Sequence, residues 1–330
     1  MKAVITGGQG FLGSHLVAHL LEQGFDVRVM ASPWGKLDNL ARVAEHPKLE
    51  VVRGDITDPE SLTGAFADAQ LVYHFAARVL DWGRWAWFEK TNVEGTRNVL
   101  AAAEAAGVDR FVQVSSVAVH PYVGFREADP RTQATGGKLV NYAKSKLLAE
   151  ELVGASPLDT VIVRPGLWPY GPHDPNFHKF VGPLRKGGFP LVAGGKSVIN
   201  TVFAENLSIG LRLAGTVPAA ANRVYHVADE GAPTWKEVLE HVCDELGAPR
   251  PKMSLPGWLS QGVSTMVEWT YAGFAPKSEP PLTKYRGGVM NRDIHLTISH
   301  AVDELGYAPV VDWREGFSRT VDWFKRSEGA

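Results

Sequence analysis

The run Thr6-Gly7-Gly8-Gln9-Gly10-Phe11-Leu12-Gly13 constrains this chain more than any other stretch. It follows an apolar segment, Ala3-Val4-Ile5, and opens into Leu16, Val17, Leu20 and Leu21 at helical spacing. A strand, a glycine turn and a helix in that order make a phosphate site. The glycines let the backbone turn tightly beside a pyrophosphate, and the free N–H groups of the helix N-terminus meet its charge. The glycines scan as G-x-x-G-x-x-G (Gly7, Gly10, Gly13) and as G-x-G-x-x-G (Gly8, Gly10, Gly13). A glycine triplet is weak evidence alone; the flanking strand and helix make it a dinucleotide site, with Phe11 and Leu12 in its turn.

The following segments alternate between apolar strands and helical patterns. The second strand, Val27 to Met30, runs into Ala31-Ser32-Pro33-Trp34-Gly35-Lys36, with no carboxylate before Asp38. An acid at that strand end holds the ribose 2′-hydroxyl of NAD and repels the 2′-phosphate of NADP. Its absence, with Ser32 as a donor and Lys36 as a charge, favours NADP while leaving NAD open. The third strand, Leu49 to Arg53, leads to Asp55-Ile56, suited to the adenine amino group and face. Thr57 or Asp58 is better placed than Asp55 to cap the helix that begins at Pro59. The fourth strand ends in Ala76-Ala77, small enough for close passage beside a cofactor. A fifth strand, Arg110 to Val114, meets Ser115-Ser116, and a sixth, Thr160 to Val163, meets Arg164-Pro165-Gly166.

This alternation, lasting to about residue 172, predicts an α/β fold with a doubly wound parallel sheet. Residues 1–172 are expected to be mainly the dinucleotide-binding domain. Residues 173–330 are expected to form a smaller α/β substrate-binding region, some of whose segments return to the sheet. The aromatic run Trp82-Gly83-Arg84-Trp85-Ala86-Trp87-Phe88 follows a strand's carboxyl end and suggests a wall of an apolar substrate pocket. Leu255, Trp258, Leu259, Val263, Met266, Val267, Tyr271 and Phe274 form an apolar stripe at helical spacing. Polar residues among them exclude a bilayer span. A core-facing helix is the expectation, with a lid or a peripheral membrane-surface helix over 255–274 as the alternative.

Composition excludes several classes. With 34 Lys+Arg against 36 Asp+Glu the chain carries no nucleic-acid footprint. A single cysteine, Cys243, excludes a disulfide framework and a cysteine-based metal site, and the 11 histidines lack ligand spacing, so no metal site is expected. Strand residues directly after Met1-Lys2 leave no signal peptide, and a cytoplasmic protein is expected.

Tyr142 and Lys146 stand four residues apart on one predicted helix and so share a face. A phenol is a poor acid or base near neutrality, and a neighbouring ammonium lowers its pKa. Such a pair exchanges a proton with an alcohol or ketone while hydride moves to or from a nicotinamide. A hydroxyl such as Ser116 would hold the same oxygen. Lys146 would also reach the nicotinamide ribose.

The glycine loop, Asp55-Ile56, Asn92-Val93-Glu94-Gly95-Thr96, Ser115-Ser116, Tyr142 to Lys146 and Arg164-Pro165-Gly166 together resemble the extended short-chain dehydrogenase/reductase superfamily, a Rossmann fold. The resemblance implies Tyr142 as catalytic acid/base, Lys146 as its partner, Ser116 rather than Ser115 as the substrate-orienting hydroxyl, and Asn92 supporting the lysine through a backbone or water bridge. It also implies a homodimer through the helices at 92–106 and 142–153. The C-terminal motifs Tyr225-His226-Val227-Ala228-Asp229, Pro233-Thr234-Trp235, Glu279 to Thr283 and Glu304 to Pro309 resemble the 3β-hydroxysteroid dehydrogenase branch, which includes bacterial 2-alkyl-3-ketoalkanoate reductases. That branch commonly has an acidic residue where Ala31 stands, which turns the expectation toward an NADPH-linked ketone reductase acting on a hydrophobic small molecule. The competing reading is a nucleotide-sugar epimerase or dehydratase with tightly held NAD, with Arg185, Lys186 and Lys196 for the diphosphate. A non-catalytic NADP sensor ranks last, because the tyrosine and lysine are both present.

Overall fold

The apolar runs pair into one seven-stranded parallel sheet: β1 (Lys2–Thr6), β2 (Asp26–Ala31), β3 (Leu49–Arg53), β4 (Leu71–His74), β5 (Arg110–Val114), β6 (Asp159–Pro165) and β7 (Arg223–Val227). Their order is β7-β6-β5-β4-β1-β2-β3, so the strand order reverses between β1 and β4. Open α/β sheets bind ligands at that point, outside the carboxyl ends of the strands. The computed structural model describes residues 1–121, 123–132, 140–274 and 278–328.

Alternation along each strand divides the core into two layers. Ala3 and Ile5 of β1 face α1 (Phe11–Glu22) and α4 (Ala204–Thr216), joining Leu16, Leu20, Leu207 and Leu211. Val4 faces the opposite layer, where Val99 and Leu100 of α2 (Gly95–Ala105) and Val153 of α3 (Asn141–Gly154) pack. Fully buried leucines such as Leu16 and Leu20 each contribute roughly 1.5–3 kcal/mol of transfer free energy. In the second half of the chain, α4 and β7 belong to this sheet architecture, β7 pairing along its length with β6. The helix expected at 92–106 begins instead as a π-helical segment, Glu89–Glu94, before α2 takes over.

A separate aromatic core lies outside the sheet. Tyr170 stacks on Phe317 at 3.8 Å, with Trp235, Trp313 and Phe324 around them. The helices here are α5 (Trp235–Leu246) and, beyond α6 (Gly257–Phe274), which contributes no residue to this core, α7 (Trp313–Glu328). Thr234 and Glu237 close a reciprocal capping box at the start of α5. Asp229, just past β7, ties this core to the sheet: its carboxylate accepts from Phe203 N, Asn206 Nδ2, Thr201 Oγ1 and the Tyr170 hydroxyl. Cys243 is buried in this core.

The apolar stripe over 255–274 is only partly buried, short of the core-facing helix expected from its spacing: Leu255, Leu259, Val263, Val267 and Tyr271 are half-buried. Trp258, Met266 and Phe274 of the stripe are 76%, 65% and 90% exposed, as is Trp269 outside it at 73%, whereas Ser260 and Ser264 are buried. The cause is close packing on the helix Lys284–Val289: a Cβ at Gly287 would lie 3.3 Å from Ser260 Oγ and closer still to Ser264 Oγ. Only small side chains fit there, so the large ones turn outward. Among the described residues no helix is long and apolar enough to cross a membrane.

Candidate active site

The glycine loop forms the cradle its sequence implies. Gly7 has φ +70°, and a Cβ there would come within 2.9 Å of Ala76 N; at Gly13 a Cβ would lie 2.5 Å from Gly7 O. The loop is closed by Gly10 N donating to Gly7 O at 2.9 Å, and α1 begins at Phe11 and Leu12. A helix N-terminus and an alanine-lined floor thus meet in a space that side chains on the loop would fill, which fits a dinucleotide's pyrophosphate. Ile56 is buried against Gly95, and Asp55 turns its carboxylate to Thr57 N, while Asp58 caps the helix Pro59–Leu62. Ala77 follows Ala76 past β4, Pro165 ends β6, and Lys36 is exposed.

The proposed reaction centre sits where β5 ends beside α3. The Ser116 hydroxyl faces the Tyr142 phenol. It also accepts from Ala118 N at 3.2 Å. Ser115 faces elsewhere: its hydroxyl donates to Glu150 Oε1 at 2.5 Å, and Glu150 pairs with Arg164 through bonds of 2.6 and 2.9 Å. Adjacent serines on an extended segment point to opposite sides, so the two divide between a buried ion pair and the tyrosine.

Lys146 is buried, and its ammonium donates to Val114 O at 2.7 Å. Burial pulls its pKa down to about 8, partly countered by Glu150. The Tyr142 phenol moves opposite to expectation: burial pushes it up to about 12, and the Ser116 hydrogen bond offsets only part. The ammonium is anchored on the Val114 carbonyl, and its charge does not lower the phenol. Tyr142 is therefore held as a neutral phenol, a proton donor.

Asn92 is placed differently from the expected bridge to the lysine. Its Oδ1 accepts from Arg78 N at 2.7 Å, and its Nδ2 donates to Arg78 O and to Ser145 Oγ at 3.1 and 2.8 Å. It clamps the loop after β4 to the residue before Lys146. Asn92 sits in the π-helical segment Glu89–Glu94.

One buried residue under the site escaped the sequence reading. His74 connects Thr6, at 2.6 Å from Nδ1, to Thr96, at 3.1 Å from Nε2. Thr96 donates to Asn92 O at 2.7 Å, so it takes the His74 Nε2–H, and Thr6 donates to Nδ1 while accepting from Ala76 N. Burial, with a smaller contribution from Lys146, lowers His74 to about 3 and keeps it neutral. The chain Ala76–Thr6–His74–Thr96–Asn92 thus joins the glycine loop to the Asn92 clamp. An ionisable residue in the otherwise apolar strand Leu71–His74 was its signal.

The tryptophan segment packs against cations. Trp85 lies under the Lys144 ammonium at 3.9 Å, Trp87 under Arg78 at 4.9 Å, and Phe88 is in the interior. They brace the start of α3, where Asn141 Nδ2 reaches Gly83 O at 2.9 Å. Val117, next to Ser116 in the chain, lines a small crevice with His120, Leu167, Tyr285, Val289 and Ile294, among others. Of the cations expected near a diphosphate, Arg185 is engaged by Glu328 at 2.7 Å, and Lys186 and Lys196 flank short helices.

Comparison with known proteins agrees with this geometry. Residues 3–185 match the model of the NAD dependent epimerase/dehydratase family. The 2-alkyl-3-oxoalkanoate reductase of Stenotrophomonas maltophilia (strain K279a) is 28% identical over 97% of this chain and 98% of its own. The 3 beta-hydroxysteroid dehydrogenase/Delta 5-->4-isomerase of Mycobacterium tuberculosis (strain CDC 1551 / Oshkosh) is 29% identical over 98% of this chain and 90% of its own. Among solved structures, DesIV, a dTDP-glucose 4,6-dehydratase from Streptomyces venezuelae with NAD and TYD bound, is 27% identical at a TM-score of 0.78, covering 100% of this chain and 98% of its own. The chain belongs to the NAD dependent epimerase/dehydratase family, and it is a nicotinamide-dependent enzyme of the short-chain dehydrogenase/reductase kind.

Proposed function

We propose that this protein interconverts a secondary alcohol and a ketone on a hydrophobic substrate, steroid-like or a β-keto/β-hydroxy acyl compound, with NADP as the preferred dinucleotide. The observation that carries the reading is Tyr142 facing Ser116 at the carboxyl end of β5, where the chain continues into Val117, packed in an apolar surround with Leu167 and Val289. The similarity to a 2-alkyl-3-oxoalkanoate reductase and a 3 beta-hydroxysteroid dehydrogenase/Delta 5-->4-isomerase supports the substrate class. Ala31 in place of an acid supports NADP.

A bound nicotinamide supplies or accepts the hydride at this site. Gly7, Gly10 and Gly13 would hold its pyrophosphate, Asp55 and Ile56 its adenine, and Lys146 its inner ribose. In reduction Tyr142 gives its proton to the substrate oxygen, and Ser116 donates a hydrogen bond to the same oxygen as charge develops on it. Reduction leaves Tyr142 as the phenolate, and in oxidation that phenolate takes the proton of the substrate alcohol and becomes the neutral phenol again. The exposed face of α6 would receive the greasy substrate at a membrane surface. That face carries no charge, since Glu268 turns inward to Lys284, and Lys252 stands exposed beside Met253 at its margin.

The test is NADPH oxidation followed by absorbance with a panel of apolar ketones. Tyr142→Phe should cut kcat by about 10²–10⁴-fold, the usual worth of a general acid. Undiminished turnover in that variant overturns the mechanism. The second reading, a nucleotide-sugar epimerase or dehydratase, is favoured by the DesIV likeness. Purified protein carrying tightly bound NAD and acting on nucleotide sugars, but silent towards free NADPH, would establish it instead.

A further inference from the structure

The turn after β2 holds a cation that chain order does not announce. Arg53 ends β3, and the parallel ladder pairs it with Ala31, where an NAD site carries its acid. Arg53 Nη1 donates to Ser32 O at 2.8 Å and Gly35 O at 2.6 Å, so the guanidinium lies across the turn Ser32-Pro33-Trp34-Gly35. Gly35 N closes that turn on Ser32 O at 3.0 Å. A Cβ at Gly35 would lie 2.6 Å from Ser32 Oγ and 2.7 Å from Gln9 Nε2, so glycine keeps the turn folded against the glycine loop. There Gln9 Nε2 donates to Ser32 Oγ at 3.2 Å, and Gln9 Oε1 is buried with no hydrogen-bond partner.

An exposed arginine fork, a serine hydroxyl and an unpaired buried acceptor therefore converge at one strand end. The first two suit a phosphate, and the third suits a ribose hydroxyl. Both carbonyl bonds use Nη1 alone, which leaves Nε and Nη2 for anionic oxygens. We propose that Arg53, with Ser32 and Lys36, binds the 2′-phosphate of NADP, and that Arg53 selects NADP over NAD. The proposal rests on the reading of Gly7 to Gly13 as a dinucleotide cradle. It adds to that reading the residue that discriminates. Ala31 removes the repulsion, and Arg53, from the neighbouring strand, supplies the attraction.

Equilibrium titration of the full chain, by protein fluorescence and calorimetry, tests this with NADPH, NADH, 2′,5′-ADP and ADP as ligands. The wild type should bind NADPH at least about tenfold more tightly than NADH, and 2′,5′-ADP more tightly than ADP, as charge-assisted bonds to phosphate imply. Arg53→Ala should lose about tenfold or more for the two 2′-phosphorylated ligands and stay within about twofold for NADH and ADP. Arg53→Lys, with the charge but no fork, should recover part of the difference. Equal losses for all four ligands mean that Arg53 only braces the turn, and that overturns the proposal. Wild-type binding indifferent to the 2′-phosphate also overturns it but leaves the dinucleotide cradle standing. Binding neither NADPH nor NADH overturns the cradle as well.

Discussion

Helices α3 and α6 both bury polar residues, for opposite reasons. In α3 the buried Ser145, Lys146 and Glu150 each have a partner: Asn92 and the Tyr142 carbonyl, the Val114 carbonyl, and Ser115 with Arg164. In α6 the buried Ser264 bonds only to its own helix, at Ser260 O, and is inside because it is small. One helix spends its buried face on chemistry and the other on fit. The second therefore has its apolar side left over, while the first has none. A residue's burial does not by itself reveal its role; what it touches does.

The sharpest way to break this comparison is to remove one partner in α3. Glu150→Ala leaves Arg164 nearly fully buried with its carboxylate gone, and loss of one member of a buried pair costs about 3–5 kcal/mol. Denaturant unfolding should show a loss of that size, and Ser264→Ala in α6 should change stability by less than about 1 kcal/mol. A Glu150→Ala loss no larger than the Ser264→Ala loss would show that the two helices bury their polar groups alike.

Much of this was legible because it is local. The spacing of Gly7, Gly10 and Gly13 specified the turn, and the spacing of Tyr142 and Lys146 placed both on one helix. What escaped depends on partners distant in the chain. The partner of Ser115 is Glu150, thirty-five residues on, which the resemblance favouring Ser116 did not reveal. Arg53 gains meaning only through its register with Ala31, and His74 only through Thr6 and Thr96. The α6 stripe announced a helix but not its orientation, because Gly287, more than twenty residues on, decides which face can approach. The tryptophan cluster gave no sign of the cations from outside its own segment, Arg78 and Lys144, that cover two of its rings.

The buried histidines give a weaker handle on the same contrast, since they join the α3 network. His120 and His226 lie 2.9 Å apart next to Arg164 and are lowered by burial to about 4 and about 3; His74 is lowered to about 3 and His15 to about 4. Between pH 6.5 and about 4 the unfolded chain protonates these residues and the folded chain does not. The unfolded state then binds more protons, so stability falls as pH falls, by about 1.4 kcal/mol per pH unit for each histidine. Asp174, pushed up to about 6 by burial, has the opposite sign and offsets part of the slope. Denaturant midpoints at pH 7 and 5.5 should show the decline, and the pair His120→Gln/His226→Gln should flatten it by roughly half. An unchanged slope in the double variant would place the titrating groups elsewhere.

The smallest effect on folding is expected where the exposed surface is most conspicuous. Trp258 and Trp269 project from α6 into solvent, so Trp258→Ser/Trp269→Ser should change unfolding free energy by no more than about 0.5 kcal/mol. The same double variant should lose most of its co-flotation with vesicles containing anionic phospholipid, because indole rings are what anchor such a helix at the headgroup level. Turnover of water-soluble ketones should remain as in the wild type, since neither residue lines the crevice at Val117. A stability loss above about 2 kcal/mol would mean that the tryptophans pack internally, erasing the difference from α3. Wild-type protein that stays off vesicles of every composition would remove the membrane from the reading of this face. It would leave the inward-facing serines, and the close approach they allow, as the whole reason for the helix's orientation.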